Sequence, residues 1–135
     1  QARTDGYDTA LLLNAKGHVA EGPAMCFFMV RDGKVVTPSI TSSILESITR
    51  DTVLQLCRDE LGLEPVERDI DRSELYAADE AFFCGTAWEV TPITHIDGHA
   101  VGSGAPGKVS GDLQKAYFDL VEGRVPDTRG WHTPV

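Results

Sequence analysis

The sequence predicts an α+β domain in which mixed sheets are flanked by helices. Two observations support this class: strand patterns dominate the first third of the chain, and strands then mix with helices at irregular spacing. A regular βαβ repeat would alternate the two evenly, so a doubly wound parallel sheet is not expected. The 135 residues are enough for one domain with its own core.

Two hairpins are predicted at the start of the chain. Each consists of two short apolar runs joined by a turn, residues 9–13 with 18–20 and residues 25–30 with 34–36. The second turn, Asp32-Gly33, is a strong hairpin signal. Pro38 ends the strand pattern, because proline cannot donate to a sheet ladder.

Helical spacing of apolar residues appears in two segments. The first helix is expected to begin near Ser47 or Thr49 and to stop at Gly62. The second is expected over residues 110–121, with one apolar face. That face comprises Leu113, Ala116, Tyr117, Leu120 and Val121. A short helix is predicted over residues 73–78, where Asp71 and Glu74 are spaced as a capping pair.

The second half of the chain also predicts strands and loops. Residues 81–84 are typical of a buried strand, and Gly85 marks a bend after it. Residues 89–96 predict a further strand, closed by the Asp97-Gly98 turn. Residues 102–107 form a loop of small residues, and the tail 124–135, with Pro126 and Pro134, is expected to be irregular.

Composition excludes several classes of partner. The net charge of −9 disfavours nucleic acid and anionic membranes, both of which favour basic surfaces. No apolar run approaches the length of a bilayer span. The N-terminus has neither an initiating methionine nor an apolar core, so we expect the middle of a longer chain rather than a signal peptide.

The cysteines and histidines predict no metal site and no cysteine hydrolase. Three cysteines, without CxxC spacing, are expected to be reduced, mostly buried thiols of a cytoplasmic protein. Cys26 and Cys84 lie inside apolar runs, where a thiol usually behaves as a small hydrophobe. The four histidines lie in or beside turn-like segments, with no pairing visible in the sequence.

Three segments could carry chemistry, and each also has an ordinary structural interpretation. Glu21 is either a turn carboxylate facing water or a buried acid that needs a cationic partner. Ser47 or Thr49 is either a simple helix cap or part of an anion site at the positive helix end. The turn Cys84-Gly85-Thr86-Ala87 is either a plain tight turn or a place where a ligand approaches the backbone.

Together with their flanks, these segments resemble the fold-type IV pyridoxal phosphate enzymes, most closely the branched-chain aminotransferases. The resemblance covers nearly the whole chain in register. The matching text is Gly6 to Asn14, Glu21-Gly22, Val30 to Gly33, Thr37-Pro38, Ile48 to Asp51, Glu74 to Glu80, Gly85 to Ala87, Glu89 to Pro92, Asp97-Gly98, the loop Gly104 to Gly107 and the last helix.

The resemblance implies roles for individual residues. Glu21 would hydrogen-bond the pyridine nitrogen of pyridoxal 5'-phosphate, and Ile48, Thr49 and Thr86 would bind its phosphate. The substrate's α-carboxylate would lie at Gly85 and Ala87, with Trp88 beside it. The implied reaction is amino transfer between a branched-chain amino acid and 2-oxoglutarate, in a dimer of the complete unit.

The resemblance also defines what this chain lacks. The family's Schiff-base lysine would precede Gln1, and none of the four lysines present replaces it. We therefore expect residues 1–123 to be the C-terminal cofactor-binding domain, inactive alone, with an N-terminal fragment or partner chain carrying the lysine. Three internal departures affect the site: Met25-Cys26 replaces a polar pair, Ser47 replaces glycine and Trp88 replaces a small residue.

Two other functions remain open at this point. One keeps the fold and cofactor but changes the reaction, to an amine transaminase, a D-amino acid transaminase or an aminodeoxychorismate lyase. The stretch Gly85 to Pro92 favours the branched-chain group, whereas Pro23 and Trp88 leave room for these reactions. The other is a non-catalytic half that serves as a subunit or ligand-binding domain.

Overall fold

The computed structural model describes residues 1–133 and confirms the α+β class. The elements in chain order are β1 (Glu21–Gly22), β2 (Met25–Arg31), β3 (Lys34–Thr37), α1 (Ile48–Asp59), β4 (Val66–Glu67), a 3-10 helix (Arg72–Ala77), β5 (Glu80–Gly85), β6 (Glu89–Ile93), β7 (His95–Ile96), β8 (His99–Ala100) and α2 (Lys108–Val121). Six strands form one sheet in the order β4-β3-β2-β5-β6, with β1 paired to β2 outside this order. Only β3 and β4 pair in parallel among these strands.

The centre of the sheet is buried on both faces. Strands β2 and β5 are continuous apolar runs, which suits strands covered on both sides. Phe28 stacks on Phe82 with ring centroids 5.2 Å apart, on the face that α1 and α2 cover. Phe27 meets Phe83 edge to face on the opposite side, where the core includes Val19. The sheet therefore holds the ends of β1, β2 and β5 in fixed register.

The predicted helices are present with shifted ends. Ser47 caps α1, because its hydroxyl accepts a hydrogen bond from the Arg50 N–H at 3.3 Å. Helix α2 begins at Lys108, two residues before the predicted start. Most of its predicted apolar face packs inward, but the prediction for Val121 is wrong, since this residue is 49% exposed.

Two strand predictions needed correction, and one strand was not predicted. Residues 89–96 are not one strand: β6 stays in the main sheet, and β7 turns away to pair with β8 across Asp97-Gly98. Residues 9–13 and 18–20 form no regular strands, although an isolated bridge joins Leu13 to Val19 and the Ala20 N–H donates to the Leu12 carbonyl at 2.9 Å. Strand β4 was not predicted, because two residues carry no usable alternation. The Asp32-Gly33 turn is confirmed, with positive φ at both residues.

The tail follows α2 without a regular element through residue 133. Arg129 anchors it to α1, with Nη2 2.8 Å from Asp59 and 3.1 Å from Glu60. Pro134, part of the predicted irregular tail, lies outside the described residues. No helix within residues 1–133 has the length and apolar character needed to cross a membrane.

Candidate functional site

Glu21 is held by the loop that precedes α1. It is the first residue of β1 and is half-buried. Its carboxylate oxygen Oε2 accepts a hydrogen bond from the backbone N–H of Leu45 at 2.9 Å. Among residues 1–133, this is the one hydrogen bond that the carboxylate makes. The other oxygen is therefore available to a ligand.

The start of α1 presents free backbone donors. The Ser47 hydroxyl accepts a hydrogen bond from the Arg50 N–H, and the Ser47 carbonyl accepts one from the Asp51 N–H at 3.0 Å. Within the described part of the chain, the N–H groups of Ile48 and Thr49 have no hydrogen-bond partner. Unpaired N–H groups at the positive end of a helix form a ready anion site.

The turn between β5 and β6 lies against the turn between β1 and β2. A Cβ added at Gly85 would lie 2.9 Å from the carbonyl oxygen of Ala24, closer than real Cβ contacts allow. Only glycine therefore permits this approach. Thr86, Ala87 and Trp88 are exposed on the turn, which Thr91 stabilises by donating its hydroxyl to the Trp88 carbonyl at 2.5 Å.

Cys26 connects these three segments. It is the register partner of Glu21 on one side and of Cys84 on the other. Its Sγ lies 3.9 Å from the carbonyl of Leu45 and donates to it. Glu21, the loop before α1 and the residue preceding Gly85 thus surround one side chain.

The cysteine thiols differ in pKa, although all of them are buried. All three cysteines are free and buried, as predicted. A hydrogen bond from Cys84 lowers the pKa of Cys26 to about 7, helped by the Ser47 hydroxyl and the charge of Arg50 and opposed by burial. Burial raises the pKa of Cys57 to about 11.

A cavity beside the start of α1 is not lined by every candidate residue. A cavity of about 700 Å³ is lined by Ile48, Thr49, Tyr117 and Trp131, among others, but not by Glu21 or Thr86. Burial raises the pKa of the Tyr117 hydroxyl, and a hydrogen bond with Thr49 opposes this. Ile48 and Thr49 are therefore the two candidate residues that line this cavity.

Sequence reasoning missed Leu45 and Arg50. Leu45 acts through its backbone, which no sequence pattern marks. Arg50 is 6% exposed, and its Nη2 donates to the Pro38 carbonyl at 3.0 Å and to Glu67 at 2.6 Å. A basic residue in the first turn opposes the helix dipole. That mismatch is the signal that could have predicted an acidic partner for Arg50.

These features together define a class of protein. The pattern of the family Amino-transferase class IV matches residues 1–96, and the chain belongs to this family. Among solved structures, it is similar to the branched-chain amino acid aminotransferase of Thermobaculum terrenum in its PLP form. That similarity is 56% identity with a TM-score of 0.95 over 98% of this chain and 43% of the other. The branched-chain amino acid aminotransferase of Escherichia coli gives 43% identity and a TM-score of 0.92, over 96% of this chain and 43% of that one.

A curated relative points the same way. The branched-chain-amino-acid aminotransferase of Pseudomonas aeruginosa is 47% identical over the whole chain. The chain spans 43% of that relative's length, so it corresponds to less than half of such an enzyme.

Proposed function

We propose that this chain is the cofactor-binding C-terminal part of a pyridoxal phosphate-dependent aminotransferase that acts on branched-chain amino acids and 2-oxoglutarate. The remainder of the polypeptide, or a partner chain, would supply the lysine that holds the cofactor. In this proposal residues 1–123 are the cofactor-binding unit, and residues 124–135 are the C-terminal tail that follows it. The complete enzyme would be a cytoplasmic dimer.

One observation carries the proposal: the loop 38–47 joins the two halves of the site. Its Leu45 N–H binds the Glu21 carboxylate at 2.9 Å. Its last residue, Ser47, caps the helix whose free N–H groups belong to Ile48 and Thr49. An acid with a free oxygen and an anion site are thus tied to one short segment. A cofactor with a basic ring nitrogen and a phosphate needs these two groups.

Glu21 would act on the ring nitrogen. Pyridoxal phosphate supplies an electron sink for the charge that develops at the substrate's α-carbon, provided that its nitrogen stays protonated. A carboxylate at hydrogen-bond distance favours the protonated nitrogen, because opposite charges stabilise each other at low solvent exposure. The Leu45 hydrogen bond would fix the orientation of this carboxylate.

The remaining candidates divide between phosphate and substrate. The N–H groups of Ile48 and Thr49 would bind the phosphate, with the exposed Thr86 hydroxyl as a second contact. Gly85 and Ala87 would receive the α-carboxylate through the backbone. Trp88, 38% exposed, would form one wall of the substrate pocket.

The test is a substrate panel on the complete enzyme. Branched-chain amino acids with 2-oxoglutarate should be the preferred pair, ahead of amines, D-amino acids and aminodeoxychorismate. Preference for one of those would assign the chain to another fold-type IV reaction. Borohydride reduction followed by peptide mass spectrometry should find one pyridoxyl-lysine outside these 135 residues.

A substitution tests the acid. Glu21→Gln should lower kcat by about a hundredfold or more, because a neutral amide does not favour the protonated nitrogen. Glu46→Gln is the matched control, since Glu46 is an exposed acid of the same loop. Equal activity of the two variants would contradict the role of Glu21.

A further inference from the structure

We propose that Arg50 is a positioning residue for the cofactor. It closes the loop 38–47 so that the Glu21 carboxylate and the free N–H groups of α1 are held at one ligand. This inference rests on the proposed function and deepens it. Arg50 itself would not touch the cofactor.

The contacts of Arg50 join three parts of the fold. Its Nη2 donates to the carbonyl of Pro38, the residue after β3, at 3.0 Å, and to Glu67, the last residue of β4, at 2.6 Å. Its side chain is 7% exposed. Its backbone N–H donates to Ser47 at 3.3 Å. One guanidinium therefore ties the first turn of α1 to both strands at the sheet edge.

The loop that Arg50 closes has little packing of its own. Within the described residues it contains no helix or strand, and Ile40 and Leu45 are 55% and 75% exposed. Ser42 anchors its middle by donating to Asp69 at 2.6 Å. Its C-terminal half contains Leu45, whose N–H binds Glu21; this half is held by the Cys26 thiol at the Leu45 carbonyl and by the contacts at the start of α1. The position of the Leu45 N–H relative to Glu21 thus depends on Arg50.

The ion pair between Arg50 and Glu67 is expected to fix the geometry of the loop and not to add charge to the site. A cation in the first turn of a helix is disfavoured by the dipole. Glu67 compensates the charge of Arg50, so the pair adds little net attraction for a phosphate. The buried Nε of Arg50 has no hydrogen-bond partner among residues 1–133. A buried donor is rarely left unpaired. Both acceptors, the Pro38 carbonyl and Glu67, are reached by the single nitrogen Nη2 of a buried, planar guanidinium.

The experiment measures cofactor affinity in the apo form of the complete enzyme by absorbance titration with pyridoxal phosphate. The variants are Arg50→Lys, Arg50→Gln and Glu67→Gln, each with a thermal unfolding curve recorded without cofactor. Arg58→Gln is the matched control, because Arg58 pairs with Glu64 at 3.0 Å in the last turn of the same helix. We expect Kd to rise about tenfold in Glu67→Gln, more in Arg50→Gln and less in Arg50→Lys, with Arg58→Gln within about twofold of wild type.

Glu67→Gln separates the possible roles. If Arg50 acted through its charge, removing the neighbouring carboxylate would tighten phosphate binding, and a lower Kd would overturn the inference. If Arg50 only stabilised the fold, the variants would unfold earlier but bind pyridoxal phosphate with unchanged Kd, which would also overturn it. Should Arg50→Gln fail to fold, Arg50→Lys and Glu67→Gln decide the outcome. A wild-type enzyme that does not bind pyridoxal phosphate would refute the proposed function itself.

Discussion

The start of α2 gives a prediction that can be worked out atom by atom. The Glu80 carboxylate accepts hydrogen bonds from the backbone N–H of Val109 at 2.9 Å and from the N–H and hydroxyl of Ser110, both at 2.8 Å. An acid that satisfies free N–H groups at a helix start both caps the helix and complements its dipole. Gly107, the capping residue, lies directly against this carboxylate.

Gly107→Ala should displace the Glu80 carboxylate that caps α2, because the new Cβ would collide with it. Its Cβ would lie 2.0 Å from Cδ of Glu80 and 2.4 Å from Oε1, so the carboxylate must move away. Alanine accepts the backbone angles of this residue, with φ at −88°, so the cost is steric. Losing the cap costs about 1–2 kcal/mol, and the charged hydrogen bonds bring the total to about 2–4 kcal/mol of unfolding free energy.

Gly111→Ala is the matched control in the same helix. A Cβ at Gly111 meets nothing within 4 Å, so alanine should stabilise the protein by about 0.5–1 kcal/mol through helix propensity. Urea denaturation followed by circular dichroism measures both changes. In a Glu80→Ala background, Gly107→Ala should cost little, because the colliding group is gone. A Gly107→Ala protein as stable as wild type would refute this reasoning.

Two further predictions concern the site and the pH dependence of stability. Gly85→Ala should weaken pyridoxal phosphate binding by about tenfold, because its Cβ would press on the Ala24 carbonyl at 2.9 Å and displace the turn; an unchanged Kd in an absorbance titration would contradict this. Arg68 is the main cause that lowers the pKa of Glu74 from 4.5 to about 2, helped by Arg31. The folded state binds this proton more weakly than the unfolded state, so the stabilisation is complete above pH 4.5 and is lost as pH falls towards 2. Urea titrations over this range should show a shallower decline for Glu74→Gln than for wild type.

Local signals made much of the fold predictable. The turn Asp32-Gly33 requires positive φ at both residues, and this fixed the β2–β3 hairpin. Ser47 marked the start of α1 by its capping chemistry. Strand β4 could not be predicted, since its two residues pair with β3 only after α1 returns the chain to the sheet edge. The break at Thr94 likewise depends on the separate pairing of β7 with β8.

In the candidate site too, some residues could be predicted from local sequence signals and others could not. Glu21, Thr49 and Gly85 belong to sequence patterns that point to a cationic partner, to anion binding and to close backbone approach, respectively. Leu45 escaped notice because its contribution is a backbone N–H directed at a residue 24 positions earlier. The partner of Arg50 lies 17 positions away on a strand that the sequence did not predict. Residues that bind are thus partly visible in sequence, whereas residues that orient them depend on tertiary contacts.

A crystal structure of the complete protein with pyridoxal phosphate would test the central proposal most directly. We expect the ring nitrogen within hydrogen-bond distance of Glu21, about 2.7–3.2 Å, and the phosphate oxygens at the same distance from the N–H groups of Ile48 and Thr49. The lysine that holds the cofactor should come from outside these residues. A cofactor bound elsewhere, or one whose nitrogen and phosphate contact neither Glu21 nor the start of α1, would contradict the account.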